Sequence, residues 1–132
     1  MSITTNWDNT DQTIIRYIFS GDWNWDEFYQ VVEQRFELSE HTSEHLDVIF
    51  DLTDSNYIPD GLLLHLKKFV KLLPENHGHY VIVGNHTGLV TIVDMFNRIF
   101  KHCNNCLTYS NSLEKARVYL AYLRAETVKL AA

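Results

Sequence analysis

Two hydrophobic periods alternate along the chain and predict strands and helices in turn. Residues 3–7 and 13–19 are rich in β-branched and aromatic side chains and flank the polar turn DNTDQ, so they predict a β-hairpin. Apolar residues at helical spacing predict helices over residues 24–38, 60–73 and 88–101 and from SNSLEK onwards. Short apolar runs predict buried strands over residues 46–52, 79–84 and 106–109.

The order of these elements, β-β-α-β-α-β-α-β-α, predicts the fold class. It indicates an α/β fold with a mixed, mainly parallel sheet, an N-terminal β-hairpin and about four helices. The chain has 132 residues and no internal repeat or Gly/Pro-rich linker, which favours one domain over residues 1–125. We expect residues 126–132 to be a frayed tail.

The first predicted helix carries a start signal. Asn24 followed by Glu27 fits a capping box, in which each side chain accepts an N–H that the helix leaves unpaired. Trp23 and Phe28 then occupy the positions of a hydrophobic staple. This pattern favours a structural role for Trp23 over a ligand platform.

The third predicted helix carries more apolar surface than one core-facing stripe requires. Between Leu89 and Phe100 only four positions are not apolar. We therefore expect Val90, Met95 and Phe96 near the border of an exposed apolar patch that a partner protein or a second copy covers. The alternative is a groove that the C-terminal tail closes within one chain.

Charge and composition exclude several classes of function. The formal net charge is −6 and the densest basic group is Lys67, Lys68 and Lys71, so we expect no nucleic-acid binding. No apolar run approaches the roughly 20 residues of a membrane helix, and the first residues lack a signal-peptide pattern. With two cysteines, the chain is expected to be cytoplasmic and its thiols reduced.

Polar residues gather in DVIFDLTDSNYIPDGL, residues 47–62, where a predicted strand gives way to a helix. Sites in open α/β sheets are usually built at that handover. The candidate regulatory or partner-surface residues are Asp51, Thr53, Asp54, Ser55 and Asp60. The alternative is structural, with Asp60 as an N-cap and the earlier residues ordering a turn.

Three stretches in their order resemble the STAS domain, the fold of bacterial anti-sigma factor antagonists. They are DVIFDLTDSNYIPDGLLLHL, HYVIVGNHTGLVTIVDMFNRIF and CLTYSNSLEKARVYL. The chain is also similar to lipid-binding SEC14-type domains. The resemblance extends over nearly the whole chain and implies a signalling domain that acts through protein–protein contacts.

The chain departs from that family at one position. The resemblance places the phosphorylated serine of Asp-Ser-x-Gly at a helix start, where this chain has the shorter sequence YIPDG. Pro59 or Asp60 falls where the hydroxyl should be, so the switch serine is expected to be absent. Asp60 could act there as a permanent anion, since a carboxylate is favoured at a helix start.

The chain offers no convincing metal or catalytic pattern. HCNNC, residues 102–106, contains Cys-x-x-Cys but follows a predicted helix, whereas reactive thiolates sit at helix N-termini. We expect Cys103 and Cys106 to be free thiols, and His41 and His45 of HTSEH to be solvated. No Gly-rich phosphate loop or nucleophile elbow is present. The expectation is therefore no catalytic residue, no metal, no cofactor and no enzyme activity.

Three functions are consistent with these patterns. The leading hypothesis is a non-catalytic regulatory or scaffold domain that binds a protein partner or forms a homodimer. The alternative is a module that binds an apolar small molecule or lipid between the third helix and the sheet. A third hypothesis is a phosphorylation-switched antagonist that uses Ser55 or Thr53.

Overall fold

The computed structural model describes residues 2–39, 46–71, 77–100 and 107–131. Over these ranges it contains the strands β1 (Ile3–Trp7), β2 (Ile14–Gly21), β3 (Leu46–Ser55), β4 (His77–Val83) and β5 (Leu107–Ser110). The helices are α1 (Trp25–Ser39), α2 (Leu62–Lys71), α3 (Leu89–Ile99) and α4 (Leu113–Ala131). The element order and the α/β class agree with the prediction. None of the described helices is long and apolar enough to cross a membrane.

The strands lie in the sheet in their chain order, β1-β2-β3-β4-β5. β1 and β2 are antiparallel and the other neighbours are parallel. Because every parallel crossover steps the same way, α1, α2 and α3 lie on one face. In the described sheet the strand order never reverses, so it has no topological switch point. The general reason for expecting a site at the strand-to-helix handover therefore does not apply here.

The face under α1, α2 and α3 carries a large core that is rich in aromatic rings. The ring of Phe50 on β3 lies at its centre, with centroids 5.4 Å from Tyr17, 6.1 Å from Phe28 and 5.5 Å from Phe69. Offset and edge-on rings at these distances pack favourably. Aliphatic side chains of the three helices complete this core, among them Val32, Leu62, Leu66, Leu89 and Val93.

The face under α4 has a much smaller apolar cluster. It consists of Ile49, Val81, Val83, Ala116 and Leu120. Two arginines on α4 add ion pairs to the rest of the domain. Arg117 donates to both carboxylate oxygens of Asp8 at 2.8 and 2.7 Å, and Arg124 lies 3.7 Å from Asp47. Charged groups therefore contribute a larger share of the contacts on this face.

Helix side chains occupy backbone groups at both edges of the sheet. The Glu27 carboxylate accepts the N–H of Ile3 on β1 at 3.0 Å, and the Asn97 amide donates to the carbonyl of Leu107 on β5 at 2.9 Å. Such contacts make an edge less available for pairing with another strand. The predicted capping box is half confirmed, because Asn24 accepts the N–H of Glu27 at 2.8 Å while Glu27 binds β1.

β3 is longer than the predicted strand 46–52. Asp54 and Ser55 pair with Ser20 and Gly21 of β2, so residues 53–55 belong to the strand and the predicted turn at Asp51, Thr53 and Asp54 is wrong. The register shifts after the pair Ile18–Asp51, because β3 holds one more residue there than β2. This irregularity is a β-bulge.

α2 begins later and α4 ends later than predicted. The carbonyl of Gly61 accepts the N–H of His65 at 2.9 Å, and Gly61 has a φ of 92°, which favours glycine. Asp60 therefore precedes the helix cap and is not itself the N-cap. α4 continues to Ala131 on the face opposite α3, so the described C-terminal segment does not cover α3.

Candidate functional site

Asp51 stabilises the bulge instead of lining a site. Its Oδ1 accepts the N–H of Thr53 at 3.0 Å, which pairs an amide next to the irregular register. Its Oδ2 accepts two hydrogen bonds from the guanidinium of Arg16, at 2.6 and 3.1 Å. The carboxylate is almost entirely buried on the α4 face, so its partners are already within the chain.

The ionised form of Asp51 is favoured in the folded protein. Burial alone would raise the pKa of this carboxyl group. The hydrogen bonds from Thr53 and Arg16, together with the charge of Arg16, outweigh burial and lower the pKa of Asp51 below its ordinary value. Asp51 therefore contributes stability at neutral pH as a structural anion.

Ser55 is also buried and both of its hydrogen-bonding roles are used. Its hydroxyl accepts the indole N–H of Trp23 at 2.9 Å and donates to the carbonyl of Tyr57 at 2.8 Å. The carbonyl of Ser55 accepts a hydrogen bond from Nε2 of His86 at 2.9 Å, and among the described residues the buried Nδ1 of His86 has no hydrogen-bond partner. A kinase would have to break these contacts to reach the hydroxyl.

The polar candidates do not converge on one place. Asp51 faces α4, whereas Ser55 packs with Trp23 on the opposite face. Thr53, Asp54 and Asp60 are exposed. Within the described residues these five side chains are therefore spread over both faces and the surface and do not make up one site.

An aromatic group, which the sequence patterns did not reveal, joins the start of α1 to the start of α2. The indole N–H of Trp25 donates to the carbonyl of Asp60 at 2.8 Å, and its ring stacks on His65 with centroids 4.1 Å apart. The hydroxyl of Tyr29 lies 2.7 Å from Nδ1 of His65. A single histidine in a helical pattern gives no sequence signal of this kind, because its partners lie 36 residues away or more.

This aromatic group favours neutral histidine. Burial lowers the pKa of His65, and the positive charge of Lys68 lowers it further. The aromatic group and the hydrogen bonds from Asn56 to Gly21 and Asp22 together fix the connection between β3 and α2. The polar residues at the end of the stretch 47–62 are therefore explained by contacts between the β2–α1 connection and the β3–α2 connection.

α3 has the exposed apolar surface that its composition predicted, but one of the predicted residues is buried and another residue is exposed in its place. Val90 is 51% exposed and Met95 44% exposed, but Phe96 is only 1% exposed and lies against the sheet. The prediction that Phe96 borders the exposed surface is wrong, because it shares the buried stripe of Leu89 and Val93. Ile99, one turn beyond Met95, is 50% exposed instead.

Met95 and Ile99 lie on the side of α3 that faces away from β5. Asn97 reaches the β5 backbone, and the helical period places Met95 and Ile99 about 160° from it. α2 packs beside α3, so this flank borders α2. On α2, the helical period places Lys67 on the side nearer α3 and Lys71 on the outer surface of the helix. We call Met95, Ile99, Lys67 and Lys71 the α2–α3 surface.

Several sequence candidates lie outside the described residues. Cys103 and Cys106 fall in the range 101–106, and His41 and His45 fall in the range 40–45. The expectation of free thiols and solvated histidines therefore stays a prediction. Within the parts of the chain that the structure describes, no group of three or more His, Cys, Asp or Glu side chains could hold a metal ion.

Comparison with known proteins adds no relative. No family model matches the chain, and the searches of curated proteins and of solved structures find no match either. The resemblance to STAS domains therefore depends on the residues quoted above and on the α/β fold that accompanies them.

Proposed function

We propose that this protein is a non-catalytic regulatory or scaffold domain, similar to STAS domains, that binds a protein partner through the α2–α3 surface. The observation that carries the proposal is the exposure of Met95 and Ile99 on a helix whose other face is fully packed. Both side chains are about half exposed, so covering each would contribute about half of the 1.5–3 kcal/mol that full burial of such a side chain provides. A partner that covers the pair would recover much of this free energy.

The surrounding charges favour a partner segment that combines apolar and acidic residues. By the helical period Lys67 lies on the side of α2 nearer α3 and Lys71 follows one turn later, and with Lys68 they form the densest basic group in a chain of net charge −6. Interfaces commonly set an apolar centre within a polar rim of complementary charge. Acidic side chains on the partner would meet these lysines while its apolar side chains meet Met95 and Ile99.

A small apolar ligand between α3 and the sheet is less favoured. The α3 side chains that face the sheet, Leu89, Val93 and Phe96, are each at least 96% buried and fill that space. A switch at Ser55 is less favoured as well, because the hydroxyl is buried and doubly hydrogen-bonded. Thr53 is exposed, but the carboxylate of Asp51, which accepts the N–H of Thr53, would repel a phosphate at this position.

The test uses matched glutamates on α3. Met95→Glu places a charge within the α2–α3 surface, whereas Val90→Glu places the same charge on a similarly exposed apolar position of the same helix, about 140° around the axis from Met95. Each full-length variant is tagged, expressed in the source cell and captured, and co-purified proteins are quantified by mass spectrometry. We expect a protein that is retained by the wild type and by Val90→Glu and is reduced at least tenfold by Met95→Glu. Equal recovery with both variants would contradict the proposal.

A further inference from the structure

α4 has a second apolar stripe on the side that faces away from the sheet. Val118 is 65% and Tyr122 62% exposed, and these two are the most exposed large apolar residues in the described part of the chain. The exposed alanines Ala121 and Ala125 complete the spacing i, i+3, i+4, i+7. Ala116 and Leu120, by contrast, are buried against the sheet. One helix thus offers two apolar faces, of which the domain covers one.

We infer that α4 pairs in antiparallel orientation with α4 of a second copy, through Val118, Ala121, Tyr122 and Ala125. This surface lies on the opposite side of the sheet from the α2–α3 surface and does not depend on the function proposed for that surface. In a two-fold pair centred between Ala121 and Tyr122, Val118 lies opposite Ala125 of the second copy. A large side chain then meets a small one on each side of the axis, which lets the helices approach closely.

The charges beside the stripe determine the orientation. Lys115 is exposed near the start of α4, and Glu126 is partly exposed near its end. Antiparallel pairing places Lys115 two residues, or about 3 Å along the axis, from the level of Glu126 in the second copy, which long side chains can span, and the two-fold axis creates this contact twice. Parallel pairing would instead leave Lys115 about 16 Å along the axis from Glu126 of the second copy, so this contact would be lost. Charge complementarity of the stripe with itself is what identifies a second copy as its occupant.

A shallow groove accompanies the stripe. It has a volume of about 630 Å³ and is lined by Val118, Tyr119 and Tyr122, together with residues of the first turn of α4. A two-fold interface uses the same patch on both copies. The exposed ring of Tyr122 of each copy would therefore pack into the groove of the other copy. Aromatic side chains that enter such a groove often carry a large part of the binding energy.

Sedimentation velocity of the full chain over a concentration series tests the dimer. We expect the wild type to form a dimer and Val118→Glu to raise the dimer dissociation constant at least tenfold. Thr91→Glu, the same charge on α3, should leave that constant unchanged. Circular dichroism confirms that each variant is folded. A wild type that stays monomeric up to millimolar concentration would overturn the inference.

A charge exchange tests the antiparallel register. Lys115→Glu alone and Glu126→Lys alone should each weaken the dimer several-fold, and the double variant should restore it. A double variant as weak as the worse single variant would contradict the antiparallel arrangement. Met95→Glu should leave dimerisation unchanged, so failure of the partner proposal and failure of this inference give different results.

Discussion

The two faces of the sheet are built by different forces. Under α1, α2 and α3 the core is large and aromatic, with Phe50 surrounded by rings of three elements. Under α4 the apolar cluster is small and aliphatic, and Arg117, Arg124 and Arg16 form ion pairs with aspartates. Adjacent residues of one strand, Ile49 and Phe50, point to the two sides.

This difference implies that the two faces contribute unequally to the stability of the fold. Apolar burial is non-directional and insensitive to salt, so the α1–α3 face should determine the global free energy of unfolding. Partly exposed ion pairs are screened by salt and contribute modestly. α4 is therefore the layer that should open first in the native state, and its exposed stripe is the part of this layer that a second copy would stabilise.

The largest expected effect is on the aromatic face. Phe50→Ala removes the ring that contacts Tyr17, Phe28 and Phe69 and leaves a cavity that packed neighbours cannot fill. We expect a loss of about 3–5 kcal/mol in the free energy of unfolding. Urea denaturation followed by circular dichroism measures it. A loss below about 1 kcal/mol would show that this face is not the main source of stability.

The matched change on the other face is Leu120→Ala. Leu120 is fully buried, but its cluster with Ile49, Val81, Val83 and Ala116 is small and adjoins exposed positions of α4, which allows partial collapse. We expect a loss of about 2–3 kcal/mol, the lower part of the range for leucine truncation. Hydrogen exchange should show reduced protection in α4 while α1 keeps its own. Equal loss of protection in both helices would mean that the two layers open together.

Asp51→Asn tests the buried ion pair through its pH dependence. The pKa of Asp51 is lowered in the folded state, so its contribution is complete above the unfolded value of about 4 and is lost as pH falls through the lower folded value. The variant should lose about 1–3 kcal/mol at pH 7, and the difference from the wild type should shrink below about pH 4. Denaturation at a series of pH values measures this. A difference that is the same at pH 7 and pH 2.5 would contradict the assignment.

The smallest effect is expected for the exposed partner of an ion pair. Arg117 is 46% exposed, although its partner Asp8 is nearly buried. Arg117→Gln should cost about 0.5–1 kcal/mol at low ionic strength. In about 1 M salt, where the Debye length is near 3 Å, the effect should fall by half or more. The loss of stability in Phe50→Ala should not change with salt. If salt reduced the losses in both variants by the same factor, the proposed difference between the faces would be contradicted.

The order of elements could be predicted because each one carries a clear period. Buried strands such as 79–84 are continuous apolar runs, and the helices have polar faces and start signals. The length of β3 could not be predicted in this way. Its last three residues are polar and are held in the strand by pairing with β2 and by a bulge, which are contacts between distant parts of the chain.

The candidate site was harder to predict than the fold for the same reason. Arg16, the partner of Asp51, lies 35 residues earlier, so Asp51 appears in the sequence as an unpaired acid after a strand. On α3 the composition indicated surplus apolar surface, but only the position of the sheet decides that Phe96 is buried and Ile99 is exposed. Sequence periodicity gives the number of apolar faces, while packing selects which of them face solvent.

Site-specific photo-crosslinking tests the proposed function most directly. A photoreactive phenylalanine analogue replaces Met95 in one sample and Val90, on the other flank of α3, in a matched sample, and both are irradiated in the source cell. We predict that position 95 gives a discrete crosslinked species containing one other protein, whose acidic segment maps to the crosslink, and that position 90 does not. Identical crosslinking patterns at the two positions, or crosslinks at position 95 to this chain alone, would contradict a partner-binding role for the α2–α3 surface.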